Sequence, residues 1–367
     1  MAQAIREHKI TSLELTKHVL ERIELHNPRL NAIVTLMREE ALERSRAADK
    51  ALRGGDLWGP LHGVPITIKD CFEISGVRTT SGSPSLKDHV PENDAVAVAR
   101  LRAAGGIILG HTNVPIMAGD WQSYNKIFGT TNNPWNLERT PGGSTGGGAA
   151  AVAAGLSFLS LGSDIGGSIR IPSHFCGVYG HKPTLNVIPL RGHIPPPPGG
   201  PPGPPLYLPV AGPLARNAED LKIALEVLGG PDAEDAKAYR WNLPPARHRS
   251  LSDYRLGYVL NHPACPVSTD VKTVIQCAVD ALQGKCNALE NGWPLDVDPV
   301  EQYTTYRFLL ASTAAQSLKN DEYEEKRRQA QDQDGSYESI IAKAWTAPHK
   351  HFQTADRERM AADHGGL

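Results

Sequence analysis

Three short segments of this chain carry side chains of the kind that cleave acyl bonds. Lys69 ends an apolar run, and Ser144 and Ser168 each lie in a glycine-rich run, at residues 141–148 and 162–170. A serine hydroxyl becomes a nucleophile when a neighbouring base takes its proton, and a neutral lysine amine can be that base. The three segments therefore predict a nucleophile, a relay and a base for acyl transfer from an amide or ester.

Ser168 is the better candidate for the nucleophile because two glycines directly precede it. Glycine permits backbone conformations in which successive N–H groups point to one side of a turn. We therefore predict an oxyanion hole formed by the backbone N–H groups of Ile165, Gly166, Gly167 and Ser168.

Ser144 is the predicted relay, since one hydroxyl can accept a proton and donate another. Its neighbours Gly143 and Thr145 are expected to shape the loop that presents it. Burial at the end of an apolar strand lowers the pKa of the Lys69 amine, and only the neutral amine can act as a base. Supporting roles in ion pairs or loop hydrogen bonds are expected for Asp70, Asp164 and Arg170.

The composition limits the classes of function. The 367 residues are 40% hydrophobic, and the formal net charge is −2, which gives no electrostatic reason to bind nucleic acid or an anionic membrane. The five cysteines have no metal-ligand spacing and are expected to be free thiols. Without a signal peptide or a long apolar run, the chain is expected to be cytoplasmic. The proposed chemistry needs no cofactor and no metal.

Helices and strands are expected to alternate around these segments. Apolar runs predict strands at residues 63–68, 107–109 and 156–161, and helices are predicted at residues 93–104 and 145–154. The first fifty residues are expected to be helical, with a capping box at Thr11. This alternation favours an α/β fold. We expect a polyproline-like surface loop at residues 194–205 and a polar tail near the C-terminus.

Other motif matches lack the context that they require. Residues 142–146 fit the G-x-S-x-G nucleophile elbow, and residues 146–151 fit a dinucleotide-binding pattern, but no strand is predicted directly before either. Residues 123–126 fit S-x-x-K, yet the companion β-lactamase motifs are absent.

At these residues the chain closely resembles the amidase signature family. The matching runs are residues 63–70, 110–115, 141–144, 168–170, 175–184 and 212–216. The resemblance implies that Ser168 is the acylated nucleophile, that Ser144 follows a cis peptide bond and that Lys69 is the base. It also implies a mixed, largely parallel twisted sheet with helices on both sides.

The resemblance also leads to an expected domain organisation. Residues 1–60 would be N-terminal helices packed on a signature core at residues 61–230, and residues 231–367 would be a further part of the same domain. Family members usually continue with more strands and a closing helix. We therefore expect the sheet to be incomplete at the C-terminus, and an uncovered sheet edge would favour a homodimer.

The predicted function is hydrolysis of a small-molecule carboxylic amide through an acyl-serine intermediate. One alternative is the amidase subunit of a glutamyl-tRNA amidotransferase, although residues 113–117 lack the Asp-Glu-Phe expected there. The other is a truncated, inactive family member that acts as a binding or scaffold protein. The aromatic side chains of Trp121 and Tyr124 are candidates for lining the pocket.

Overall fold

The computed structural model describes residues 1–196, 198, 207–233, 235–294, 297–314, 324–325 and 327–328. The chain divides into two compact units, Met1–Leu243 and Pro244–Leu367. The domain boundaries expected at residues 60 and 230 stay predictions. Most of the expected proline loop and of the polar tail lies outside the described residues.

The described residues form ten strands and ten α-helices. The strands are β1 (Ile33–Leu36), β2 (Pro65–Lys69), β3 (Ile107–Thr112), β4 (Tyr124–Asn125), β5 (Gly129–Thr130), β6 (Leu159–Asp164), β7 (Tyr179–Gly180), β8 (Val210–Ala215), β9 (Arg255–Tyr258) and β10 (Ala288–Asn291). The helices are α1 (Ala2–Arg6), α2 (Ser12–Leu30), α3 (Arg38–Arg53), α4 (Val96–Ala103), α5 (Gly146–Ala153), α6 (Arg170–Cys176), α7 (Ala218–Leu228), α8 (Asp235–Ala238), α9 (Thr269–Leu282) and α10 (Pro299–Ala314).

A six-stranded mixed sheet forms the centre of the first unit. Its strand order is β1-β3-β2-β6-β8-β7. The three strands β3, β2 and β6 are parallel, whereas β1, β8 and β7 pair with their neighbours in the antiparallel sense. Parallel strands are buried on both faces, which explains why β2 and β3 read as continuous apolar runs.

Helices cover both faces of this sheet because successive strand residues point in opposite directions. In β3, Ile107 and Leu109 belong to the core formed with α2, α3 and α5, whereas Ile108 belongs to the core formed with α4 and α7. The mixed α/β fold with a helix layer on each face is therefore confirmed.

Most predicted elements are present, but six of the described strands were not predicted, namely β1, β4, β5, β7, β8 and β10. The capping box at Thr11 starts α2 as predicted, because its hydroxyl accepts the Glu14 N–H while the Glu14 carboxylate accepts the Thr11 N–H. The prediction that the first fifty residues are all helical was wrong, since β1 follows α2 and pairs with β3. Strand β8 was also missed, because it contains a glycine and a proline, which are uncommon in the interior of a strand.

The second unit contains a two-stranded parallel sheet of β9 and β10. Strand β9 and helix α9 both belong to this unit. All five cysteines are free thiols. In the part of the chain that the structure describes, no helix is long and apolar enough to cross a membrane, and no three His, Cys, Asp or Glu side chains are grouped to hold a metal ion.

Candidate active site

The Lys69 amine lies at the carboxyl end of β2, fully enclosed by protein. Alternation along the strand sends Ile66 and Ile68 into the core beneath α4 and α7, so Lys69 extends from the opposite face. Its Nζ atom is 2.7 Å from Ser144 Oγ. Burial lowers the pKa of the Lys69 amine, because the charged form loses its hydration there. The amine is therefore suited to act in its neutral form.

Ser144 lies in the turn that leads into α5, and the Gly143–Ser144 peptide bond is cis. A Cβ atom at Gly143 would lie 2.6 Å from the backbone of Gln122, so only glycine fits at this position. Thr145 ties the turn to its surroundings, since its N–H donates to the Ser168 carbonyl at 3.1 Å and its hydroxyl donates to the Ser163 carbonyl at 3.3 Å.

The loop before Ser168 is organised by the buried carboxylate of Asp164. It accepts the Gly167 N–H at 2.8 Å, the Ile169 N–H at 3.0 Å and two N–H groups of the Arg170 guanidinium at 3.1 and 2.9 Å. Burial alone would raise the pKa of the Asp164 carboxyl. The Arg170 and backbone hydrogen bonds outweigh that effect, so this pKa lies below its ordinary value. The loop is thus built around an ionised carboxylate.

The same loop offers unused N–H donors beside the Ser168 side chain, which is 4% exposed. Among the described residues, the N–H groups of Ile165, Gly166 and Ser168 have no acceptor. We predicted four donors, but the Gly167 N–H already donates to the Asp164 carboxylate. Three of the four predicted donors therefore remain available for an oxyanion.

Ser144 and Ser168 are connected through the backbone and not through their hydroxyls. Within the described residues, no hydrogen bond links Ser144 Oγ to Ser168 Oγ. The connection between the two runs through the backbone, from the Thr145 N–H to the Ser168 carbonyl.

Asp70 faces away from this cluster, although it follows Lys69 directly. Its carboxylate accepts the N–H and the hydroxyl of Thr80, at 3.0 and 2.5 Å, and lies 3.4 Å from His111 Nδ1. Burial raises the pKa of the Asp70 carboxyl. Asp70 therefore fixes the turn after β2 and does not contact the serines.

Two further side chains contact the cluster and were not predicted from the sequence. Ser163 Oγ lies 3.0 Å from Lys69 Nζ, and the buried ring of His193 lies 2.9 Å from Ser163 Oγ. Ser163 belongs to the predicted run at residues 162–170, so position along the strand could have indicated it. His193 had no such signal, because it stands next to the proline run, far from any motif.

Trp121, a predicted pocket residue, lies at the rim of the site. Its indole N–H donates to the Gly166 carbonyl at 2.9 Å, and the side chain is half-exposed. Because the Gly166 carbonyl and the Gly167 N–H belong to one peptide unit, Trp121 and Asp164 hold that unit from both sides. Tyr124 is also half-exposed and donates its hydroxyl to Asp120.

Fold and site together define an α/β protein in which the buried Lys69 amine contacts the Ser144 hydroxyl at the carboxyl end of β2, with the Ser168 loop bonded to Thr145 through the backbone. The sequence profile of the Amidase family matches residues 14–364, and the chain belongs to this amidase signature family. The resemblance that the motifs indicated is thereby confirmed.

Several characterised proteins are similar to this chain. It is 38% identical over 284 residues to a glutamyl-tRNA(Gln) amidotransferase subunit from Roseiflexus sp. (strain RS-1), in a match that covers 77% of this chain and 56% of the relative. The chain thus spans little more than half the length of this relative. A structure of 6-aminohexanoate cyclic dimer hydrolase matches with 26% identity and a TM-score of 0.75, over 99% of this chain and 74% of that chain. The peptide amidase of Stenotrophomonas maltophilia matches with 25% identity and a TM-score of 0.74, over 97% and 77%.

Proposed function

We propose that this chain hydrolyses a small-molecule carboxylic amide through an acyl-Ser168 intermediate, without a cofactor. The observation that carries the proposal is the 2.7 Å contact between the fully buried Lys69 amine and the Ser144 hydroxyl. A buried amine with a lowered pKa and a hydroxyl in contact is the arrangement that a lysine base requires.

The proposed steps follow from these contacts. Lys69 takes the Ser144 proton while Ser144 takes the Ser168 proton, and Ser168 Oγ bonds to the amide carbon. The carbonyl oxygen gains the negative charge and accepts N–H groups from Ile165, Gly166 and Ser168. The proton on Lys69 returns through Ser144 to the leaving nitrogen, and the C–N bond breaks. Water then adds to the ester by the same route and releases the acid.

A fluorophosphonate probe tests this proposal without knowledge of the substrate, because such probes modify activated serines. We expect covalent labelling that maps to Ser168 by mass spectrometry and that is absent in Ser168→Ala. Ser173→Ala is a matched control, since Ser173 lies in α6 with an unpartnered buried hydroxyl. A folded protein that is not labelled would contradict the proposal and would favour the scaffold alternative.

The acyl group would be identified by a panel of short aliphatic, aryl and peptide amides, with release of ammonia or amine as the measurement. The similar solved structures include a cyclic-dimer hydrolase and a peptide amidase, which supports including amides of both kinds.

A second candidate is the amidase subunit of a glutamyl-tRNA amidotransferase. It is favoured by relatives that carry the name of such an amidotransferase, at 38%, 35% and 37% identity. Hydrolysis of glutamine that increases when charged tRNA and partner subunits are added would support this reading. Turnover of simple amides that is insensitive to such additions would support the first.

A further inference from the structure

The Lys69 amine contacts a second hydroxyl, Ser163, which in turn contacts the ring of His193. Ser163 Oγ is 3.0 Å from Lys69 Nζ and 2.9 Å from His193 Nε2. We propose that His193, acting through Ser163, is a positioning residue that keeps the lone pair of the neutral Lys69 amine directed at Ser144. This inference rests on the proposed function, in which Lys69 is the base.

His193 is held against the segment that directly follows the lysine. The Ile194 N–H donates to the Cys71 carbonyl at 2.7 Å, and the Glu73 N–H donates to the Gly192 carbonyl at 2.9 Å. His193 as a whole residue is 8% exposed. Two backbone hydrogen bonds, one on each side of His193, therefore fix its position relative to the end of β2.

The contacts of the ring determine where its proton lies. His193 Nδ1 is 3.0 Å from the Pro195 carbonyl, which can only accept a hydrogen bond, so Nδ1 carries a proton. Burial, with a contribution from nearby Lys69, lowers the pKa of His193 to about 4, so the ring is neutral near pH 7. Its Nε2 atom then carries a lone pair and accepts the Ser163 hydroxyl proton. The other ionisable groups that act on Lys69 are Cys71 and Asp164.

With its proton committed to His193, the Ser163 hydroxyl can only accept from Lys69. A neutral amine has two N–H groups and one lone pair. Two oxygens of Ser163 face the amine, the hydroxyl at 3.0 Å and the backbone carbonyl at 3.4 Å, and they accept the two N–H groups. The lone pair is left facing Ser144 Oγ at 2.7 Å, which is where the relay proton must be taken up.

Removal of the His193 ring would release the Ser163 hydroxyl to rotate. It could then donate its proton to the Lys69 lone pair and compete with Ser144 for it. That contact would also favour the neutral amine, because it hydrogen-bonds the uncharged form. The proposal therefore predicts a slower reaction together with an acid-side inflection of the rate at lower pH.

The test measures the rate constant for modification of Ser168 by a fluorophosphonate probe as a function of pH. We expect His193→Leu to lower the plateau by about 10-fold, a part of what a general base contributes, and to move the acid-side inflection to lower pH. His193→Gln offers an amide oxygen to Ser163 and should restore both values close to those of the unchanged protein. A simple structural defect would lower the plateau and leave the inflection in place.

A double-mutant cycle shows whether the effect passes through Ser163. Ser163→Ala should slow the modification by itself, and His193→Leu should have no further effect in that background. Unfolding temperatures identify variants that do not fold, and Ser163→Ala and His193→Gln still decide the question if His193→Leu is one of them. An unchanged rate in Ser163→Ala, or an unshifted inflection in folded His193→Leu, would overturn the proposal. Absence of labelling in the unchanged protein would instead count against the proposed function.

Discussion

The two ends of the site bury an ionisable side chain in opposite ways. Lys69 is 0% exposed, and the oxygens around its amine belong to the neutral residues Ser144 and Ser163. Asp164 is 1% exposed, but its carboxylate faces the Arg170 guanidinium and backbone N–H groups. Burial thus lowers the pKa of Lys69, whereas hydrogen bonds keep the pKa of Asp164 low despite its burial.

This difference corresponds to two different roles, a reactive one for Lys69 and a structural one for Asp164. A base must give up its proton, so its amine is buried with neutral hydroxyls, and not a carboxylate, as its hydrogen-bond partners. A carboxylate that shapes a loop must stay ionised, so it is surrounded by donors. The comparison predicts that changes at Lys69 affect the reaction more than the stability, and that changes at Asp164 affect the stability first.

The largest expected effect is that of Lys69→Met on the reaction. Methionine keeps most of the volume but removes the base, so the rate of Ser168 modification should fall by about 10²–10⁴-fold. The unfolding temperature should equal or exceed that of the unchanged protein, because an amine buried with only neutral hydrogen-bond partners is costly to desolvate. A large drop in unfolding temperature would break the comparison, since Lys69 would then be a structural residue.

Asp164→Asn should act mainly on stability. It removes the charge that pairs with Arg170 and turns one acceptor into a donor facing N–H groups, so the free energy of unfolding should fall by about 2–3 kcal/mol. Chemical denaturation measures this change. Glu24→Gln is a matched control, because Glu24 pairs with Arg38 at the surface and should change the same quantity by less than about 0.5 kcal/mol. Equal effects at the two sites would contradict the special role of Asp164.

Packing, and not charge, should control how closely α5 brings Ser144 to Lys69. A Cβ atom at Gly148 would lie 2.5 Å from Ser160 Oγ, a hydroxyl without a partner. Gly148→Ala should therefore cost about 1–3 kcal/mol and slow the reaction. Adding Ser160→Ala should recover most of both losses, whereas simple addition of the two single effects would show that α5 is not positioned by this contact.

The smallest expected effect is on the pH dependence of stability. The folded pKa of Lys69 lies below its ordinary value of 10.5, so the unfolded chain binds more protons between these two values. The free energy of unfolding should therefore rise with pH across that window, and Lys69→Met should remove this rise. For Asp164 the folded pKa lies below 3.8, and its contribution should be lost as the pH falls through that lowered value. Denaturation series at several pH values would measure both.

The sequence predicted which segments meet at the candidate site better than the way in which they are held. Lys69 ends an apolar run, and Ser144 and Ser168 lie in glycine-rich runs. The composition of each run follows from the local backbone conformation or burial, so a short stretch of sequence is enough to find it. The Gly167 N–H was wrongly counted as a free donor, because its acceptor depends on how the Asp164 side chain turns. His193 could not be found, since it reaches Lys69 only through a contact 30 residues away in the chain, with Ser163. Strand β1 was missed for the same reason, because its pairing with β3 decides its conformation.

The distances along the chain between the contacting groups have a consequence for biosynthesis. Lys69 meets Ser144 across 75 residues and Ser163 across 94. Strand β6, which ends in the Asp164 loop, gains its outer neighbour only when residues 210–215 pair with it. Long-range pairing of this kind forms slowly. A nascent polypeptide on the ribosome should therefore not react with the fluorophosphonate probe until β8 has emerged. Probe labelling of stalled chains of increasing length would show at which length the sheet is complete.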